Sequence, residues 1–374
     1  MPVFLFCRHI ICSLKEYRSP MKKLLNTPLV YLLSTFVFMG NNRCTEIVKA
    51  DAITVNAAAN TTIPDEIATE GQPDSKVDII DTTFDTSAYN KKMLALCNND
   101  PSGKWPAKSI YPLPGAVFPD TRIIAFYGNL YSKRMGILGE IPKDSMFKKL
   151  QAEVAAWQQA DSSVKTVPAL HYIVTTAQGS PGKDGKYRLR MPFHQVDTIM
   201  NWAKQINALV FIDIQVGHSL VKDEVPLLEK YLQQSNVHLG IDPEFSMKNG
   251  EVPGSKIGTF SATDINDAID FLANVVRKNN LPPKVLVVHR FTQGMVTEYE
   301  KIKKVPEVQI VMDMDGFGEK ILKKSTYLRY IYKEPVQFTG FKLFYKNDNK
   351  TSSGMYTPEE LLKFTPRPIY IQYQ

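Results

Sequence analysis

From residue 123 onward, short apolar runs alternate with polar loops and amphipathic stretches. Eight such runs predict strands: residues 123–127, 169–175, 209–215, 237–242, 256–260, 284–289, 308–313 and 338–344. Most are apolar at both parities, as expected for strands covered on both faces. Between them lie patterns with apolar residues at spacings of three and four, which predict helices. In residues 145–159 these are Met146, Leu150, Val154 and Trp157; residues 193–206 and 225–232 behave similarly. Asp264 is placed to cap a helix carrying Ile265, Ala268, Ile269, Leu272 and Val276. Thr357-Pro358-Glu359-Glu360 has the form of a capping box with proline at the first helical position. The last nine residues, 366–374, alternate like a short strand that packs on the outside or rim.

Eight strands alternating with helices over roughly 250 residues predict an α/β protein built as a (β/α)₈ barrel. The rival is a doubly wound open sheet. Its glycine-rich phosphate turn is missing: Gly316-Phe317-Gly318 lacks the third glycine at the required spacing.

Ahead of the barrel, residues 1–44 read as a leader and residues 45–100 as a low-complexity tether; the barrel domain takes residues 101–374. Met21-Lys22-Lys23 followed by an apolar stretch over 24–40 has the shape of a secretory signal, which makes Met21 the expected initiator. A longer membrane-anchored start at Met1 is the alternative. Cys44 stands where a lipoprotein signal places its lipidated cysteine, although Arg43 before it is a poor match and Val48-Lys49-Ala50 offers a competing cleavage site. The expectation is an exported protein, secreted or attached to the cell envelope through the leader or Cys44. Past the leader only Cys44 and Cys97 remain, too few for a disulfide framework or a thiolate metal site.

Charge changes little. The formal net charge is +7, but six of the 45 basic residues and one of the 38 acids fall in residues 1–44, which leaves +2 elsewhere. No concentrated basic stripe with interleaved aromatics occurs, so no nucleic-acid partner is expected.

A barrel places its site at the C-terminal ends of its strands. Polar residues gather there. Tyr127 ends the first run, His171 lies in the second, Asp213 and Gln215 share a face of the third, and Asp242 and Glu244 flank Pro243 at the end of the fourth. His289 and Arg290 end the run at 284–289, Asp313 and Asp315 the run at 308–313, and Lys342 lies in the last. Strand periodicity puts Asp242 and Glu244 on one side. Each has a bland reading: His171 as a hydrogen-bonded core histidine, Asp315-Gly316 as a turn, Arg290 as the partner of a neighbouring acid. Their repetition at strand ends points to a shared pocket.

Glycoside hydrolysis needs one protonated carboxyl and a second that acts as base or nucleophile. The first expectation is therefore a carbohydrate-directed hydrolase with Glu244 as acid, its pKa raised by burial or by the charge of Asp242, and Asp313 or Asp315 facing it, Asp313 being the expected nucleophile or base. Tyr127, His171, Asp213, Gln215, His289, Arg290, Asp315 and Lys342 would bind the substrate, and neither metal nor other cofactor is called for. The second reading is a metal-dependent hydrolase with His171, Asp213, Asp242 or Glu244, and His289 around zinc or manganese. The third is a barrel that binds a glycan or partner without catalysis. Residues 179–190, with Lys183, Lys186, Arg188 and Arg190, would make the rim positive and suit an acidic ligand.

Over residues 123–344 the chain resembles, in architecture, barrel glycosidases that carry an acid on strand four and a second carboxylate on strand seven. Ile241-Asp242-Pro243-Glu244 departs from the Asn-Glu and multi-Asp signatures those enzymes usually show. From Tyr127 to the C-terminus, including Val288-His289-Arg290-Phe291 and Met314-Asp315-Gly316-Phe317-Gly318, it is similar to exported bacterial barrel proteins of no established activity.

Overall fold

In a computed structural model, residues 84–374 are described. The leader, Met21, Cys44 and the first part of the tether lie outside them. Eight strands close into a barrel: β1 Thr121–Gly128, β2 Lys165–Ala177, β3 Leu209–Ile214, β4 Val237–Ile241, β5 Lys284–Arg290, β6 Val308–Met314, β7 Phe338–Leu343 and β8 Tyr370–Tyr373. Each pairs in parallel with its neighbours, and β8 pairs with β1 to complete the ring. The (β/α)₈ expectation holds, with two changes in strand identity.

Residues 256–260 do not enter the barrel. Only Phe260–Ser261 pairs, with Val296–Thr297 outside the ring. The chain then turns directly into the helix Ala262–Asn279, because Ser261 and Asp264 form a capping box there. The eighth strand is instead the C-terminal Tyr370–Tyr373, inserted between β7 and β1. Consequently His289 belongs to the fifth strand, Asp313 to the sixth and Lys342 to the seventh.

Strand alternation divides the interior from the jacket. Outward residues such as Ile124, Leu170, Val210, Leu239, Leu286, Ile310, Phe341 and Ile371 pack with helix residues including Leu150, Trp157, Ile199, Ile269 and Leu272. Inward residues Ile123, Ala125, Ala169, Phe211, Val285, Val287, Val311 and Phe338 fill the lower barrel. Higher up the same inward parity carries the polar residues.

The floor is closed by a segment assigned from sequence to the tether. Residues Thr86–Leu96 form a helix whose N-cap, Asp85, accepts a hydrogen bond from the Ala88 amide. Its Met93 and Leu96 join Phe118 and Phe338 beneath the barrel interior. The Asn98 side chain donates to the Phe364 carbonyl at 2.7 Å and accepts from Arg367 Nε at 2.7 Å, which ties the helix end to the approach of β8. Met93→Ala is expected to cost about 2–4 kcal/mol as a core truncation. Lys91→Ala on the exposed face should cost less than about 0.5 kcal/mol. Equal shifts of the two urea midpoints would show that the helix does not seal the floor.

Candidate functional site

The polar residues that strand alternation sends inward meet in the upper barrel. Tyr127 from β1 donates through its hydroxyl to Asp213 Oδ2 of β3 at 2.9 Å. The other oxygen of Asp213 lies 3.5 Å from His171 Nε2 of β2 and 3.6 Å from His289 Nε2 of β5. Tyr370 and Gln372 of β8 complete the lower ring: the Tyr370 hydroxyl is 2.5 Å and Gln372 Nε2 3.1 Å from His171 Nδ1. All six side chains are buried. On its far side, His289 Nδ1 lies 3.0 Å from Asp315 Oδ2 and 3.5 Å from Asp313 Oδ2. Lys342 of β7 caps the group, with Nζ 3.1 Å from Asp315 Oδ2 and 3.9 Å above the Tyr127 ring.

Above this layer, Asp242 and Glu244 sit where β4 ends. They share a side, but not through strand periodicity. Pro243 starts a single 3₁₀ turn, Pro243–Phe245, for which Asp242 is the N-cap: its Oδ1 accepts from the Glu244 amide at 3.0 Å. Its Oδ2 accepts from Gln215 Nε2 at 3.3 Å, and Gln215 Oε1 in turn accepts from the Ala177 amide at 3.1 Å. Gln215 therefore orients Asp242, and Asp242 orients Glu244.

Electrostatics divide these groups. For Asp213, burial opposes the charge, but the His289 and His171 rings outweigh it and hold the carboxyl well below the ordinary range. Burial also opposes a charge on His289, yet Asp213 and Asp315 raise it well above a free imidazole. His171, for which burial dominates, drops to about 4 and is neutral at pH 7. Asp315 is lowered despite burial, by Lys342 and His289. Asp242 and Glu244 go the other way: burial raises both, and repulsion by neighbouring carboxylates, Asp315 among them, adds to it. Asp313 rises to about 7 through burial, and neither of its oxygens has a hydrogen-bond partner.

Tyr127, His171, Asp213, Gln215, Asp242, Glu244, His289, Asp313, Asp315 and Lys342 thus come together. Arg290 does not. Adjacent to inward-facing His289, it points out of the barrel, where Nη1 donates to the Tyr330 carbonyl at 3.0 Å and Nη2 to the Gln293 carbonyl at 3.0 Å. It also pairs with Glu334 at 2.5 Å. A cleft of about 830 Å³ near that loop, lined by Glu298, Tyr299, Arg329 and Lys333 among others, shares no residue with the cluster. Sequence reasoning missed Tyr370 and Gln372, whose signal was the alternation in the last strand. It also missed Gly240. A Cβ there would lie 2.4 Å from Asp213 Oδ1 and 2.5 Å from His171 Nε2, so only glycine leaves those atoms their space.

Of the four cations expected to make the rim positive over residues 179–190, Arg188 and Arg190 are paired with acids. Arg188 and Arg190 each donate to Glu224 at 2.7 Å, and Arg188 also pairs with Asp184. These contacts hold Arg188–Arg190 as a short antiparallel strand on Thr175–Ala177. Glu224→Gln is expected to cost roughly 2 kcal/mol, less than the ~3–5 of a fully enclosed pair because Arg190 is 44% exposed. Burial would raise Glu224, but Arg190, Ser219 and Arg188 lower it. Its contribution is therefore present above the unfolded value of about 4.3 and lost as pH falls through the folded value. Amide exchange of residues 175–177 should accelerate in that acid range in the wild type. An exchange rate independent of Glu224 would contradict this.

No family model matches the chain, and no curated protein sequence does. Among solved structures it is distantly similar to a hyperthermophilic endo-β-1,4-glucanase in complex with substrate, at 11% identity and a TM-score of 0.30, covering 55% of this chain and 76% of that one. It is also similar to Burkholderia cenocepacia dihydropteroate synthase complexed with 7,8-dihydropteroate, at 11% identity and a TM-score of 0.31, covering 68% of this chain and 86% of that one. The barrel itself stands on its own strand pairing.

Proposed function

We propose that the barrel mouth is a general acid–base site for glycoside hydrolysis, with Glu244 as the acid and Asp315 as the base or nucleophile. The observation that carries this is the arrangement at the rim. A Gln215-positioned Asp242–Glu244 turn stands within the field of Asp315, which Lys342 holds as an anion at 3.1 Å. Two carboxyl groups in environments of opposite sense are what acid-assisted departure of an alcohol needs.

In this reading Glu244 gives its proton to the glycosidic oxygen as the bond from that oxygen to the anomeric carbon breaks, and Asp315 either takes a proton from the water that attacks that carbon or attacks it itself, forming an ester that water then hydrolyses. Lys342 and His289 hold Asp315 in place. Burial, with repulsion by Asp242 added to it, favours the protonated form of Glu244. The second-carboxylate role passes from Asp313 to Asp315, because Asp313 is wholly buried below the rim with both oxygens unbonded, whereas the Asp315 side chain keeps 9% exposure. Half-buried Phe245 and Phe291 and exposed Tyr131 would offer faces for sugar rings. The signal-like stretch and Cys44 support an exported location, where polysaccharide is met.

The test is release of reducing ends from a panel of cell-envelope and plant polysaccharides by the purified chain. Turnover abolished by Glu244→Gln and by Asp315→Asn, with folding intact, supports the reading. Turnover equal to wild type in either variant removes that residue from the mechanism, and no turnover on any member refutes the substrate class.

A further inference from the structure

Beneath the rim carboxylates lies a second constellation that acid–base hydrolysis leaves idle, except that the far nitrogen of His289 faces Asp315. His171 Nε2, His289 Nε2 and Asp213 Oδ1 converge from β2, β5 and β3, and none of the three atoms makes a hydrogen bond. Leaving buried polar atoms unpaired costs about 1–3 kcal/mol each, so three aimed at one point call for a ligand there. The three residues present ligand atoms that all lie within 4.8 Å of one another. The His–Asp separations of 3.5 and 3.6 Å are too long for good hydrogen bonds. They match the edge of a metal polyhedron: two ligands about 2.1 Å from a tetrahedral ion stand about 3.4 Å apart.

The surroundings fit the same purpose. A metal-bound imidazole normally passes its other ring nitrogen to a carboxylate, hydroxyl or carbonyl, which fixes its tautomer. His289 Nδ1 stands 3.0 Å from Asp315 Oδ2 without hydrogen-bond alignment, and His171 Nδ1 faces the Tyr370 hydroxyl at 2.5 Å and the Gln372 side-chain amide at 3.1 Å. The Tyr127 hydroxyl occupies Asp213 Oδ2, which leaves Oδ1 as a single-atom donor. Gly240 supplies the clearance on the β4 side.

We propose that His171, Asp213 and His289 bind one divalent transition-metal ion of the zinc class, with the fourth position open to an oxygen of the substrate or of water. Two imidazoles and one carboxylate are a three-ligand set of catalytic rather than structural type. Binding would give Asp213 a counter-charge inside the barrel. The ion would sit in the buried layer beneath Glu244. The proposal shares that end of the barrel with the hydrolytic reading but does not depend on which bond is cleaved there.

The experiment uses the full purified chain, stripped with chelator and titrated with Zn²⁺, and separately with Co²⁺, whose visible ligand-field bands report four-coordination. Expected are one ion per chain, tetrahedral Co²⁺ bands, and a rise in the thermal unfolding temperature that chelator reverses. Asp213→Asn and Gly240→Ala should each weaken binding by more than about 100-fold, since even outer-shell partners are worth about 10–100-fold. Gly240→Ala removes no ligand and serves where Asp213→Asn fails to fold. Glu244→Gln should keep the ion.

A folded wild-type chain that takes up neither metal overturns the proposal, as does a folded Asp213→Asn or Gly240→Ala chain that binds like wild type. The two readings fail separately. Metal uptake without polysaccharide cleavage refutes only the hydrolytic one, and cleavage by a chain that binds no metal refutes only this one.

Discussion

Replacing Glu244 with glutamine is expected to lower kcat about 10²–10⁴-fold on any polysaccharide the wild type cleaves, the usual worth of a positioned general acid. The fold should survive, because glutamine has the shape of the protonated carboxyl that burial favours at this position. Stability supplies a second readout with a definite sign. An acid whose folded pKa is raised binds its proton more tightly when folded, so its ionisation destabilises the chain as pH rises above the unfolded value of about 4.3. Glu244→Gln removes that loss and should be the more stable protein at alkaline pH. Asp242→Asn tests the coupling. Without the neighbouring charge Glu244 gives up its proton at lower pH, and the alkaline limb of the rate profile should move down. An alkaline limb unmoved in Asp242→Asn, or a Glu244→Gln chain as active as wild type, would sink the assignment.

Much of this architecture could be read from the chain because strands buried on both faces leave short apolar runs, here set apart by turn residues and by stretches of helical periodicity. The exceptions have physical causes. Tyr370-Ile371-Gln372-Tyr373 looked peripheral because its inward residues, Tyr370 and Gln372, serve the polar ring around His171 rather than an oily core. Of the two large apolar residues in 256–260 only Phe260 is buried, and it leads straight into a helix rather than into the barrel wall. Inward parity was legible for Tyr127, His171, Asp213, His289 and Asp313, and those five do meet. Depth along the strand was not legible. Asp313 and Asp315 have the same parity, and only closure of the ring puts the first inside the wall and the second at the rim beside Lys342. Convergence was hidden for the same reason. His171 and His289 lie three strands apart, and the space between them depends on Gly240, whose role appears only once β4 stands between β3 and β5.

Arg290 shows the other side of parity, and its removal should be the most damaging single change outside the site. The guanidinium is fully buried and points outward, next to a histidine that points in. Its donors serve the carbonyls of Thr292, Gln293, Val296 and Tyr330 and the carboxylate of Glu334. It thereby ties the loop after β5 to the wide helical turn Tyr327–Tyr332 that precedes β7. Arg290→Met keeps most of the volume but strands several carbonyls without a donor and leaves Glu334 to Gln293 Nε2 at 3.2 Å. Breaking a buried pair from one side costs about 3–5 kcal/mol, and the orphaned carbonyls add to that. A loss of about 4 kcal/mol in urea unfolding is therefore expected, against a typical mutational loss of about 1 kcal/mol. Arg290→Lys should recover only part of it, because one ammonium cannot reach acceptors arranged for a planar fork. Measured at a temperature where the variant is still folded, KM should equal that of wild type, since the Arg290 side chain touches none of the cluster around Asp213 and its backbone carbonyl, which accepts from the Asp315 amide at 3.1 Å, is kept in the variant. A raised KM with unfolding unchanged would return Arg290 to the substrate. A loss below about 1 kcal/mol would mean that the loop is held by something else.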